Sequence, residues 1–375
     1  MTTLAIPPAT RRYGPLAAAV LPTPAAPTSP APAVRRWAAE LGEAVQSVAW
    51  LPDHSAVLAL TVSGRLVRLN GADGQPVWGD AAPTRGVLCF GACPVGPVVA
   101  TGHLDGQLRL RNTHTGRIVS EQHLGQAWVE HVRWSPDGRW LAAAGGRGLH
   151  LLDESGRLLA SHRVPAGNID ALRWHPTAPT LAVGCGTTVE LLRVSAGPAP
   201  GGPASLMPPQ TLATARPAEQ LAWCPTGRHL VAGHRNGPLS SWLLPEALAS
   251  QRQAPGRRTG EPCLSWHGSG RWLATAHGPD VAVWEADAAG LAKRPRLLPH
   301  HAGPVHELAF QHRGPLLASA DAHGSLALWN LLRQHVPLST HDLGSAASAL
   351  HWMANDCCLA VGTAGGRVAV LSVVG

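Results

Sequence analysis

Lysine is almost absent: of the 30 basic residues in this 375-residue chain, only Lys293 is not arginine. One tyrosine and two phenylalanines accompany it, against 41 glycines, 34 prolines and 14 tryptophans. Residue types with AT-rich codons are scarce, so we read the bias as that of a GC-rich bacterial genome and not as selection for guanidinium chemistry. The missing lysine has a direct consequence. A Walker A loop needs Gly-Lys-Ser/Thr, and Lys293 stands between Ala292 and Arg294. Paired Cys-x-x-Cys motifs are also missing. The seven cysteines (Cys89, Cys93, Cys185, Cys224, Cys263, Cys357 and Cys358) form no framework, which argues against a zinc ribbon or a disulfide scaffold. Free thiols fit a reducing compartment, and a cytoplasmic location is expected.

No apolar run approaches the about 18 residues that a membrane helix needs. The N-terminal TRRYGPLAAAVLPTPAAPTSPAPA has paired arginines, but its apolar part, Leu16 to Leu21, is six residues and runs into prolines. An export signal needs about 7–15. Residues 1–32 are expected to be a Pro/Ala-rich disordered arm and residues 33–375 a single domain. Catalytic motifs are missing too. No G-x-S-x-G elbow occurs, GGRG (145–148) and GCG (184–186) lack the glycines of a dinucleotide loop, and Asp73, Asp105 and Asp137 each precede a turn glycine. The chain is not expected to be an enzyme.

What is present is repetition. WCPTGRHLVAGH (223–234), with one cysteine and two histidines, looks at first like a ligand cluster. It aligns without gaps on WSPDGRWLAAAG (134–145), WHPTAPTLAVGC (174–185) and WHGSGRWLATAH (266–277). Cys224 thus shares a slot with Ser135, His175 and His267, and a slot that accepts all three does not require a thiolate. An aromatic anchor recurs at Trp50, Phe90, Trp134, Trp174, Trp223, Trp266, Phe310 and Trp352, at intervals of 40, 44, 40, 49, 43, 44 and 42 residues. The longest interval contains the Gly/Pro-rich insert 195–209, read as a surface loop.

Each copy has an alternating segment before the anchor (VQSVAW, VEHVRW, IDALRW), a turn, a small apolar run, a second turn and a closing segment such as SLALWNL. Alternation bounded by Gly, Pro, Asp and Asn predicts strands. The linkers supply a fourth strand at 76–79, 117–122, 157–163 and 335–340. Four strands every 40–45 residues predict an all-β propeller. Eight four-stranded blades are expected, with the segment 33–41 returning to close the ring. Seven blades, the alternative, would leave one copy outside it.

The unit resembles the WD40 repeat, its closing Trp-Asp approximated by Trp329-Asn330 and Trp284-Glu285. The resemblance implies a structural hydrogen-bond set in the seventh copy of His301, Ser319 and Trp329, with His323 at the aspartate position. It also implies a non-catalytic scaffold that binds a protein or peptide partner, expected to be monomeric by itself.

The residues before the second turn, on one face, are the candidate contacts: His103, Leu104, His234, Arg235 and His277. The second-strand ends Cys185, His234 and His277 share a slot in three consecutive copies. They raise an alternative, a metal-handling accessory protein binding zinc or a similar ion. Strand spacing weighs against it, and polar residues satisfied locally are the plainer expectation. A net charge of +7 permits an acidic partner. Arg252, Arg257, Arg258, Lys293, Arg294 and Arg296 are the candidate basic patch, but scattered arginines elsewhere argue against nucleic acid.

Overall fold

The computed structural model describes residues 33–80, 86–125, 128–195, 204–244, 248–252, 262–331 and 336–373. The expected arm at 1–32 lies outside the described residues. Each copy of the repeat forms one antiparallel sheet, and eight such sheets form the ring. In chain order the blades span 45–79, 87–123, 131–163, 169–213, 220–252, 264–299, 305–342 and 347–372. Within a blade the strands run from the inner one at the axis, through a second and third, to an outer one at the rim. No helix occurs among the described residues, so none is long and apolar enough to cross a membrane.

The eighth blade lacks an outer strand of its own, and the N-terminal strand Val34–Glu40 supplies it. That strand pairs antiparallel with Arg367–Ser372 from Val34↔Ser372 to Glu40↔Arg367. Closure covers the ladder edge of Arg367–Ser372 and gives the eighth blade the same four strands as the others.

Packing explains the composition of each strand. The second strand is covered on both faces by neighbouring blades: Ala56–Thr61 and Trp140–Gly145 are buried throughout. Near the axis the blades crowd together, so this strand is rich in Ala and Gly. Farther out the wedge widens, and Trp242, Trp284 and Trp329 on the third strands fill it, each almost fully buried. The core is therefore a set of wedges between blades and not one central mass. One of them joins Trp140 to Trp174, stacked at 6.2 Å.

The slot shared by Ser135, His175, Cys224 and His267 belongs to the turn after the inner strand. Ser135 Oγ accepts the Trp140 N–H, His175 Nδ1 accepts those of Thr177 and Ala178, and His267 Nδ1 accepts that of Ser269. His175 Nε2 lies 3.2 Å from the Gly227 carbonyl and Cys224 Sγ 3.5 Å from that of Gly270, each on the next blade's turn. Gly227 has φ 75° and packs so closely that a Cβ there would lie 2.3 Å from the His175 ring. Cys224 is thus a turn and blade-contact residue.

Three expectations need correction. In the second blade Ala92, not Phe90, holds the anchor slot. Ala92 pairs with Val99 as Trp134 pairs with Leu141, and Trp134 Nε1 donates to the Gly91 carbonyl as Trp174 does to that of Arg133. Phe90, two residues upstream, is the aromatic residue of this inner strand, but it is out of register with the anchors of the other blades. The outer strand of the seventh blade is Ser339–Asp342, later than the expected 335–340. The insert 195–209 is partly strand: Ser205–Leu206 pairs with Val194–Ser195, and Gln210–Ala213 forms the outer strand.

Candidate ligand-binding face and channel

The second-strand ends form a buried slot. Thr61, His103, Cys185, His234, His277, Asp321 and Thr363 are each at most 7% exposed. Their polar atoms serve the turn that follows. Thr61 Oγ1 accepts the Arg65 N–H, Thr363 Oγ1 accepts that of Arg367, and Cys185 Sγ lies 3.2 Å from Thr188 Oγ1. His103 sits between Thr101 Oγ1 (2.9 Å) and Arg109 Nη1 (2.8 Å). His234 sits between the Pro217 carbonyl and Ser240 Oγ, both at 2.8 Å. Of the five sequence-derived contact residues, Leu104 and Arg235 therefore offer surface, whereas His103, His234 and His277 are enclosed.

Cys185, His234 and His277 are not gathered to one point, and the described residues contain no group of three or more His, Cys, Asp or Glu placed to hold a metal ion. The His277 Nδ1 is buried without a hydrogen-bond partner.

The hydrogen-bond set of the seventh blade is present and differs in one member. Trp329 Nε1 donates to Ser319 Oγ at 2.8 Å, and Ser319 Oγ lies 2.7 Å from His301 Nε2. The carboxylate opposite His301 Nδ1 belongs to Asp321, 3.4 Å away, and not to the His323 position. Asp321 also accepts the backbone N–H groups of His323, Ser325 and Gly303. Burial alone would raise the Asp321 pKa, but these donors and His301 hold it below the ordinary value. Replacing Asp321 by Ala should therefore cost about 3 kcal/mol or more, since it strands several buried donors. Asp321→Asn, which keeps an acceptor, should cost less, and His323→Ala on the exposed turn less than about 0.5 kcal/mol. Urea unfolding of the three variants measures the order, and equal losses would refute the assignment.

One face of the ring, here the upper, carries the turns between second and third strands. The residue immediately after the buried slot begins this turn: Val62, Leu104, Gly146, Gly186, Arg235, Gly278, Ala322 and Ala364 in chain order, of which Val62, Leu104, Arg235 and Ala364 are exposed. Five copies have glycine or alanine, whereas the first two blades present Val62 at 64% and Leu104 at 60% exposure. These two turns adjoin: a Cβ on Gly64 would meet Gly86, and one on Gly86 would meet Leu104. On the third blade exposed Trp128 lies over the matching turn, its Cζ2 3.9 Å from where a Gly146 Cβ would be. The result is an apolar arc across three consecutive blades. Arg235, on the fifth, pairs with Glu219 at 3.2 Å.

The inner strands surround a channel with two adjoining cavities, both bordered by Arg133 and Arg173. A bulge near the start of the inner strand occurs in the first, second, fourth, seventh and eighth blades. Such bulges re-aim a side chain toward the rim. At this position the third to fifth blades have Glu130, Asp170 and Glu219, which line the upper mouth together with Arg133, Arg173 and Arg235. Burial first, then Glu219, raises the Asp170 pKa.

The residue just before the anchor slot lines the lower half: Ala49, Gly91, Arg133, Arg173, Ala222, Ser265, Ala309 and His351. A cavity of about 700 Å³ there is bounded by Arg133, Arg173, His312 and His351, with Trp50, Phe90 and Trp352 as apolar walls. Sequence reasoning passed over these arginines. The signal was present, because Arg precedes the anchor in VEHVRW and IDALRW where small residues precede it in most copies.

The sequence-derived basic patch is divided. Arg252 ends the outer strand of the fifth blade opposite Leu239, at the upper end. Arg296 starts the outer strand of the sixth opposite Val283, with exposed Lys293 and Arg294 just before it at the lower end. Arg257 and Arg258 lie outside the described residues.

Eight four-stranded antiparallel blades around an axis, closed by the N-terminal strand, define a β-propeller. The family profile "WD domain, G-beta repeat" matches residues 116–151 and 293–330, on the third and seventh blades with their preceding linkers. The chain is thus a β-propeller, two of whose blades match the WD40 repeat. Propellers built from WD40 repeats generally act as protein-interaction scaffolds. A search of curated proteins returns no match. The crystal structure of a computationally designed protein, Ika8, is similar at a TM-score of 0.74 and 17% identity, covering 90% of this chain and 99% of that one. At that identity the likeness concerns the fold.

Proposed function

We propose that this chain is a non-catalytic scaffold that binds a protein or peptide partner on its upper face, centred on the arc of Val62, Leu104 and Trp128. The observation that supports the reading is the pair of large apolar side chains, more than half exposed, in a slot where five of eight copies have glycine or alanine. Exposed apolar clusters rimmed by polar groups characterise interaction sites. Glu130, Asp170 and Glu219, which share their cavity with Arg133, Arg173 and Arg235, add a polar rim beside the arc. The rigid blades hold the arc in place, so little ordering entropy is lost on the scaffold side.

The test is affinity purification from the native host with the intact chain and with a Val62→Asp, Leu104→Asp variant, alongside metal analysis of both. A recurrent partner retained by the first and lost by the second is expected. Both positions are exposed, so the two melting temperatures should agree. Retention by both variants would refute the arc, and a stoichiometric bound ion in the purified protein would favour metal handling instead.

A further inference from the structure

The lower half of the channel is bordered by two half-buried arginines. Among the described residues Arg133 and Arg173 make no ion pair. Each uses one donor on the carbonyl of its own neighbour: Arg133 Nη1 to Val132 O at 2.8 Å, and Arg173 Nη1 to Leu172 O at 3.0 Å. The remaining N–H groups of two five-donor forks have no partner among the described residues. The two arginines share a slot on adjacent blades, and burial together with the Arg133 charge disfavours the charged form of Arg173. Two half-buried guanidinium groups that face one cavity gain from an anion shared between them.

The surroundings admit an occupant. Ala49, Gly91, Ala222 and Ala309 occupy the same slot on other blades, which leaves the space open in front of the guanidinium groups. No Asp or Glu lines the cavity of about 700 Å³. Glu130, Asp170 and Glu219 line an adjoining cavity that Arg133 and Arg173 also border, yet none of the three pairs with either arginine; Asp356, near the lower mouth, is engaged by His312 Nδ1 at 3.1 Å and by three backbone N–H groups. His351 Nδ1 accepts the Trp50 N–H at 3.2 Å, so the neutral ring has its proton on Nε2, a further donor.

We propose that this cavity binds a phosphoryl group, gripped by Arg133 and Arg173 and entering from the lower face. A phosphoryl group at neutral pH has a charge of about −1.5 to −2, which matches two guanidinium charges, and its oxygens suit two planar forks better than a single carboxylate does. Apolar walls of Trp50, Phe90 and Trp352 strengthen the attraction by lowering the local dielectric. The volume accommodates the phosphoryl group together with the residue that bears it. This site is separate from the upper-face arc and does not depend on it.

The experiment is calorimetric titration of the full chain, in a phosphate-free buffer at low ionic strength, with inorganic phosphate and with a phosphoserine peptide in separate runs. Saturable binding of at least one is expected, weakened at least tenfold in an Arg133→Gln, Arg173→Gln variant. Arg139→Gln and Arg271→Gln, exposed turn arginines lying over Trp140 and Trp272, should bind as the parent does. Tighter binding of the peptide would identify a tethered phosphoryl group as the ligand, and tighter binding of phosphate a free anion. Removal of two like charges should leave the double variant folded, with a melting temperature at or above the parent's. Should it not fold, Arg173→Lys is read instead, which keeps the charge, loses the fork and should weaken binding. No binding of either probe at millimolar concentration, or equal losses in the exposed-turn variants, overturns the proposal.

Discussion

A chain that begins after residue 41 is expected to lose the cooperative thermal transition of the intact protein and to self-associate. The missing strand Val34–Glu40 pairs along the whole of Arg367–Ser372, and its removal exposes the ladder edge of the eighth blade. It also removes Trp37, 7% exposed, which packs with Trp50, Val370 and Met353 and donates from Nε1 to the Gly71 carbonyl at 3.0 Å. Trp37 thus joins the first and eighth blades directly. Trp37→Ala alone should cost about 3–5 kcal/mol. Val34→Ala, on the same strand but 57% exposed, should cost less than about 0.5 kcal/mol. Chemical denaturation compares the two, with light scattering for the truncated chain. A truncated chain that melts like the intact one would show that the ring does not need this strand.

Acid should unfold the protein well above the pH range of carboxylate titration. Burial pushes His103, His131 and His351 down to about 4 in the folded chain. The charge of Arg109 acts in the same direction on His103, that of Arg133 on His131, and that of His312 on His351. An unfolded histidine titrates near about 6.5. Protons therefore bind the unfolded state preferentially: the stability is fully present above about pH 6.5 and is lost as pH falls through the folded value of about 4. The three groups together remove about 5 kcal/mol between pH 7 and pH 5. Burial lowers His150, His175, His229, His267, His301 and His341 as well, which steepens the loss. Below this range the depressed carboxyls of Asp321 and Asp356 add their own loss.

Melting temperatures measured from pH 7.5 to 4.5 should fall steeply. His351→Gln, which keeps an acceptor for the Trp50 N–H, should reduce the protons taken up on unfolding by about one at pH 5. A flat profile between pH 7 and 5 would sink this expectation.

The repeat was legible because a propeller imposes the same constraints at each copy. Alternation marks the inner strands, small residues the crowded second strands, and turn residues the bends. That was enough to place the eight blades and the closing strand. It failed where a slot is filled by an unusual residue. Phe90 passed for an anchor because Ala92, the true occupant, has no aromatic ring. The carboxylate of the seventh blade was sought at His323 because a motif counts positions along the chain, whereas His301 responds to distance, and Asp321 supplies that distance from two residues earlier.

The candidate sites were less legible for a related reason. Sequence spacing placed His103, His234 and His277 beside a surface turn, yet the slot points into the blade, and the next residue emerges only after His103 and His234, as Leu104 and Arg235. Arg133 and Arg173 lie 40 residues apart and become neighbours only when adjacent blades bring their inner strands together. The sequence by itself determined the all-β class, the eight-fold repeat and the ring closure, because local periodicity and turn chemistry are written in consecutive residues. Tertiary structure alone decided which polar side chains are buried in turns, which apolar ones form the exposed arc, and which charges share the channel. Those outcomes depend on the packing of one blade against the next, and no single copy of the repeat records its neighbour.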